Sequence, residues 1–350
     1  MYIFIFFIII IIIFVLIMIK KRRKPSLLYH KNRYTNDINV TFNKISNLKN
    51  VTAIVFPYSE LYMSHGYCIT KNGGVYYKDT KVFFIDDDKF IHEPFECGLL
   101  GIAVNDTNIY LSYTITGNET HAVYLVVNEY DTLFNFIKTV ISIGFTENIH
   151  HAGSLAIDNE NKLWLSTGDG GPQGDPYNYA QDLSSLRGKL LKIDKNKNIE
   201  IIAYGLRNPW KFSLSTDGIF IGNVGWNTAE SLYFIPYDAP TPVNCGWPYF
   251  EGSYKLKNGL SFENTFHPIY EYPTSTEEGR CIIGGYLTPH GYIFGDYLGI
   301  VRVLRFSNNK GWVCIKKIKF PHNILSLGYD SKNVYISSED GIYKLLIERK

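Results

Sequence analysis

Two adjacent histidines, His150 and His151, stand in the stretch NIHHAGSLAI, with one alanine between them and a glycine. A strand-like run, KLWLST, follows and ends on GDGG. Histidine titrates near neutrality, so either ring can act as a base, a ligand or a switch, and either can be an ordinary loop residue. The five cysteines (Cys68, Cys97, Cys245, Cys281, Cys314) show no CxxC or Cys/His spacing. That argues against a zinc site and leaves the redox compartment open.

Composition excludes other classes. The chain has 350 residues, 45% hydrophobic, 15% aromatic and 19% charged, which describes a globular protein with a sizeable core. Its formal net charge is only +2, and much of the positive charge lies in KKRRK at 20–24, so no nucleic-acid groove is indicated. Asn-x-Ser/Thr sites begin at Asn39, Asn50, Asn105 and Asn118. They are about as frequent as chance allows and carry little weight as glycan acceptors.

The elements that must position any site come in three parts. Residues 1–19, MYIFIFFIIIIIIFVLIMI, are apolar without a charge or a helix breaker, long enough to cross a bilayer core of about 30 Å as a helix. Basic residues follow this run instead of preceding it, which predicts an uncleaved single-pass anchor and places the following domain on the cytosolic side. A basic and polar linker is expected over 20–48. From 49 to 350, short aromatic and β-branched runs alternate with Gly, Asn and Asp turns, with no long helical period. LYMSHGYCITKNGGVYY, IYLSYTITG, LWLSTGDGG, IFIGNVG, YIFGDYLGIVRVL and VYISSEDGIYKL repeat one theme, centred near 62, 110, 164, 220, 294 and 335. That spacing predicts an all-β, six-bladed β-propeller of four-stranded antiparallel blades, since about 300 residues is large for one β-sandwich.

ECGLLGIAV at 96–104, the block from His150 through GDGG to Asp194, YGLRNPWKFS at 204–213, IGNVGWNTAES at 221–231, NCGWPYFEG at 244–252 and GGYLTPHGYIFGDY at 284–297 occur in this order. Together they resemble the glucose/sorbosone dehydrogenase family, six-bladed propellers that use pyrroloquinoline quinone (PQQ) and calcium to oxidise aldose sugars. Hedgehog-interacting proteins carry a propeller of the same type without known redox work. The resemblance covers roughly 50 to 345. It implies that His150 is the base that takes the sugar's hydroxyl proton, with His151 a spacer or a solvent-facing loop residue. It gives Arg207 the stabilisation of developing negative charge, and makes Glu96, Asn208 and Arg207 cofactor contacts. It also puts the backbone carbonyls of Gly225 and Trp226 on calcium, with Glu230 beside a second, structural ion. All of these are expected to converge at one mouth of the central channel.

The departures are as specific as the matches. The basic residues that anchor the cofactor's carboxylates in relatives align with Pro289 and Ile300, and Arg280 and Arg302 are the nearby substitutes. Glu230 is followed by Ser231 in place of a second acid. Two functions therefore stand. One is a membrane-anchored, PQQ- and calcium-dependent aldose dehydrogenase with an unnamed electron acceptor. The other is a non-catalytic propeller that binds a protein or glycan. The family implies an extracytosolic domain, against the orientation that the basic cluster gives.

Overall fold

The structure, a computed structural model, describes residues 38–56, 66–94 and 96–349. The apolar run at 1–19 lies outside these residues. What they form is strand and turn, with a single 3₁₀ turn at Phe262–Asn264 among the described residues.

Six blades of four antiparallel strands make a β-propeller, and a short fifth strand, Val243–Asn244, adds parallel to the outer edge of the third. The blades span 51–84, 99–145, 152–204, 208–273, 282–319 and 324–349, and each is a chain of neighbouring strands. Five of the six repeat centres fall inside the second strand of a blade, where β-branched and aromatic residues are buried on both faces, as in GIFIGNV at Gly218–Val224. A strand packed between two others in one blade, and between two blades, has no solvent face, so its sequence is continuously apolar.

The last blade needs its outer strand from the other end of the chain. Ile38–Ser46 pairs antiparallel with Ile342–Arg349 and closes the ring. The linker expected over 20–48 therefore contains a strand, Ile38–Ser46. INVTFNKIS has polar residues at alternate positions because an outermost strand keeps one face wet, and that reads as a polar linker when the pairing partner is some 300 residues away.

Apolar clusters between neighbouring blades hold the ring. Leu100, Leu125, Leu155, Leu165 and Leu191 join the second blade to the third. At roughly 1.5–3 kcal/mol for each fully buried side chain, such seams dominate the favourable side of folding.

Candidate functional site at the channel mouth

The six innermost strands begin at the same end of the propeller, so the loops that lead into them share one mouth. Glu96, His150 and Arg207 lie just ahead of the inner strands Leu99–Val104, Ala152–Ile157 and Asn208–Leu214. Asp169 and Gly225 come just after the second strands Leu163–Thr167 and Gly218–Val224, which run back to that end. Alternation of strand direction alone thus collects residues spread over 130 positions.

Hydrogen bonds then tie them together. The His150 amide donates to Glu96 Oε2 (2.8 Å), and the Asn208 side-chain amide donates to the same oxygen (3.1 Å). His150 Nδ1 meets Asp169 Oδ1 at 2.6 Å. Asp169 Oδ2 accepts from Trp247 Nε1 (2.8 Å), and Oδ1 also accepts from the Gly171 amide (3.0 Å). The Asp169 amide donates to the Arg207 carbonyl (2.7 Å), which closes the loop between the third and fourth blades. A buried carboxylate facing Nδ1 fixes the tautomer: Nδ1 carries the proton and Nε2 has the lone pair. Among the described residues nothing bonds to Nε2, so His150 is a held imidazole with an open basic nitrogen.

The backbone here is strained. His150 and Ala152 both have φ near +56°, in the left-handed region that non-glycine residues rarely occupy. Such positions persist where surrounding bonds over-determine them, and the Glu96 and Asp169 bonds do so for His150. Gly168 is equally constrained, because a Cβ there would lie 2.0 Å from the His150 carbonyl oxygen.

His151 is not the solvent-facing residue expected. It is fully buried, edge-on to Phe145 (5.1 Å), with Nε2 donating to the Glu147 carbonyl (3.2 Å). Burial lowers its pKa, so it stays neutral. The loop turns twice in the left-handed region around it and drives its ring inward, so replacing it would open a cavity instead of providing a neutral control.

Arg207 is buried and donates through Nη1 to the carbonyls of Gly225 (2.6 Å) and Val224 (3.3 Å), and through Nη2 to Gln173 Oε1 (2.8 Å). Its guanidinium lies 5.7 Å from the centre of the Trp247 ring. Nε has no partner, and neither does Asn208 Oδ1. Glu230 is fully buried; its Oε2 accepts from the Gly225 and Ile282 amides, while Oε1 is unpaired. Burial pushes its pKa up to about 8.

Several residues that shape the site went unassigned in the sequence. Asp169, Trp247 and Gln173 touch the His150 and Arg207 side chains or their partners. Glu251 Oε1 accepts from the four successive amides of Trp226 to Ala229, at 2.6–3.1 Å, and so fixes the turn that presents the Gly225 carbonyl. Buried Lys189 donates to the carbonyls of Tyr179, Ala180 and Arg187 and pins the long loop that carries Asp169 and Gln173. The only sequence signal for Asp169, Lys189, Trp247 and Glu251 was their place in the blocks at 150–194 and 244–252.

Neither position aligned with a missing anchor lines the mouth cavity. Pro289 sits in the turn joining Ile282–Thr288 to Gly291–Asp296, at the end of the blade opposite Ile282, which bonds Glu230 at the mouth. Ile300 is buried within the fifth blade, and Arg302 is fully buried with its guanidinium on Glu278 (2.8 Å). Arg280 is exposed. None of these four lines the mouth cavity, and neither do His150, Arg207 and Asp169, which stand behind its wall residues Glu96 and Asn208. That cavity measures about 590 Å³ and is bounded by Glu96, Asn208, Trp210, Tyr76, Tyr297 and Lys49, among others. Its size suits a flat, drug-sized ligand.

Calcium does not fit the turn as it is arranged. The Gly225 carbonyl is already held by Arg207, and the Asn227 amide, in the orientation that satisfies both its ends, donates to the Trp226 carbonyl (3.1 Å).

Known proteins share this architecture. The PQQ-bound aldose sugar dehydrogenase of Streptomyces coelicolor superposes with a TM-score of 0.69 at 17% identity, over 90% of this chain and 100% of that one. A glucose dehydrogenase superposes at 0.67 with 17% identity, over 89% and 99%. These likenesses show the fold. Among curated proteins, the HIPL2 protein of Arabidopsis thaliana is 29% identical over 194 residues, covering 43% of this chain and 27% of that protein. The HIPL1 protein of the same plant is 24% identical, covering 60% and 41%. The chain thus spans less than half the length of the curated relatives it matches. The Glucose / Sorbosone dehydrogenase family model matches residues 85–283, more than half of the chain and a stretch that holds the whole network from Glu96 to Glu251, so the protein belongs to that family.

Proposed function

We propose that the protein is a PQQ-dependent aldose dehydrogenase, anchored to a membrane by residues 1–19, in which His150 is the base. The observation that carries this reading is the His150–Asp169 pair, a held imidazole with Nε2 open, in the same network as a buried arginine. A pure binding module has no need of such a pair.

The quinone would supply a hydride acceptor. Asn208 lines a cavity with room for a tricycle, and its Oδ1, like Arg207 Nε behind it, is buried without a partner among the described residues. His150 Nε2 takes the proton of the sugar's anomeric hydroxyl as the C–H bond breaks. Asp169, fixed by Trp247 and the Gly171 amide, steadies the imidazolium that results. Arg207 faces the charge that develops and needs no reorganisation, being clamped by Gly225, Val224 and Gln173.

The test is dye-linked oxidation of aldoses by the full chain, purified in detergent and reconstituted with PQQ. Activity is expected, with His150→Ala losing about 10²–10⁴ of the rate, the usual worth of a general base. Arg207→Ala should lower turnover as well as cofactor affinity. If the reconstituted protein oxidises no aldose, the reading fails. The binding module then stands in its place, a reading favoured by one observation: Lys49 and Lys71 at the cavity wall are matched by Glu93 and Glu96, so the wall is balanced in charge instead of basic.

A further inference from the structure

A buried guanidinium normally faces a carboxylate. Arg207 does not: among the described residues its partners are two main-chain carbonyls and one amide oxygen. That is the oxygen set a hard cation chooses, neutral carbonyl dipoles without a counter-charge in contact. The turn that supplies Gly225 is built for presentation, since Glu251 gathers its four amides and leaves the carbonyls pointing the other way. Trp226, next in the chain, spends its carbonyl on Asn227.

We propose that Arg207 is the resident cation of this mouth, occupying the Gly225 carbonyl that the resemblance gives to calcium, so that ligand binding here needs no divalent ion. A divalent ion at 2.3–2.6 Å from that oxygen would share it with a guanidinium at hydrogen-bond distance, two like charges on one lone-pair region. The two buried acids at the turn do not offset this: Glu251 Oε1 is spent on its four amides. Glu230 Oε2 is already taken by the amides of Gly225 and Ile282. Among the described residues Arg207 Nε is a buried donor without a partner. The ligand class is therefore a carbonyl or anionic oxygen bound to an arginine. The statement about calcium rests on geometry alone; the statement about the quinone rests on the function proposed above.

The experiment uses the full chain in detergent, stripped with EDTA. Terbium stands in for calcium, excited through Trp226 and Trp247, whose rings lie 6.1 Å apart at the site. The wild type should give no saturable sensitised emission up to about 1 mM, the weak end of protein calcium sites. Arg207→Gln, which removes the charge and frees the Gly225 carbonyl, should gain emission that calcium competes away. Arg207→Lys, which keeps the charge, should not. Quenching of tryptophan fluorescence by PQQ should give the same affinity in EDTA and in calcium. Micromolar terbium binding by the wild type, or a tenfold or larger rise in PQQ affinity with calcium, overturns the proposal. If PQQ fails to bind under either condition, the quinone reading falls and the terbium result alone decides this one. If Arg207→Gln loses its circular dichroism signature, the wild type and Arg207→Lys carry the decision.

Discussion

At the scale of single residues, two carboxylates divide the labour through their surroundings. Asp169 receives three donors and holds the ring of His150. Glu230 receives two amides and keeps one bare oxygen in the interior, and burial lifts its pKa from 4.5 to about 8. The folded state therefore holds that proton more tightly than the unfolded chain does. Its contribution to stability is whole below about pH 4.5 and is lost as pH rises to about 8, a span worth on the order of a few kcal/mol. Thermal unfolding compared with Glu230→Gln should show it: the wild type falls more steeply between pH 5 and pH 8, and the variant is relatively more stable at pH 8. Parallel pH profiles would mean that Glu230 stays ionised. Of these residues the sequence marked His150, Arg207, Asn208 and Glu96, because each sits inside a motif. It could not mark the bond from Trp247 to Asp169, which joins positions 78 apart, or reveal that a doubled left-handed turn sends His151 inward.

At the scale of elements, the propeller was legible because five repeat centres are second strands, buried on both faces and hence apolar throughout. The closing strand was not. Its alternation of polar and apolar residues is that of an edge strand, and its partner is at the other end of the chain. Deletion discriminates. The unit from Arg33 to Lys350 contains every described strand. A chain starting at residue 48 lacks Ile38–Ser46 and exposes the edge of Ile342–Arg349. The shorter chain should melt roughly 5–10 °C lower, at about 2–4 °C per kcal/mol, and aggregate through that bare edge. Equal melting temperatures for the two would show that the ring is closed in another way.

At the scale of the whole molecule, the fold explains why chemistry from six loops meets at one end, and why the anchor position at Pro289 does not. Pro289 was aligned by the glycines around it, yet a hairpin carries it to the far end of the blade. Motif order along a strand does not tell which end of the strand a turn occupies; register does. The central claim is that the held imidazole at this mouth moves the proton of an oxidation. Anaerobic mixing of the PQQ-loaded full chain with an aldose, followed by the cofactor's absorbance over a single turnover, tests it most directly. Reduction should be rapid in the wild type. It should be slower by about 10²–10⁴ in His150→Gln, whose affinity for PQQ stays unchanged. Reduction at the same rate in His150→Gln, or no spectral change in the wild type with the cofactor bound, would contradict the account.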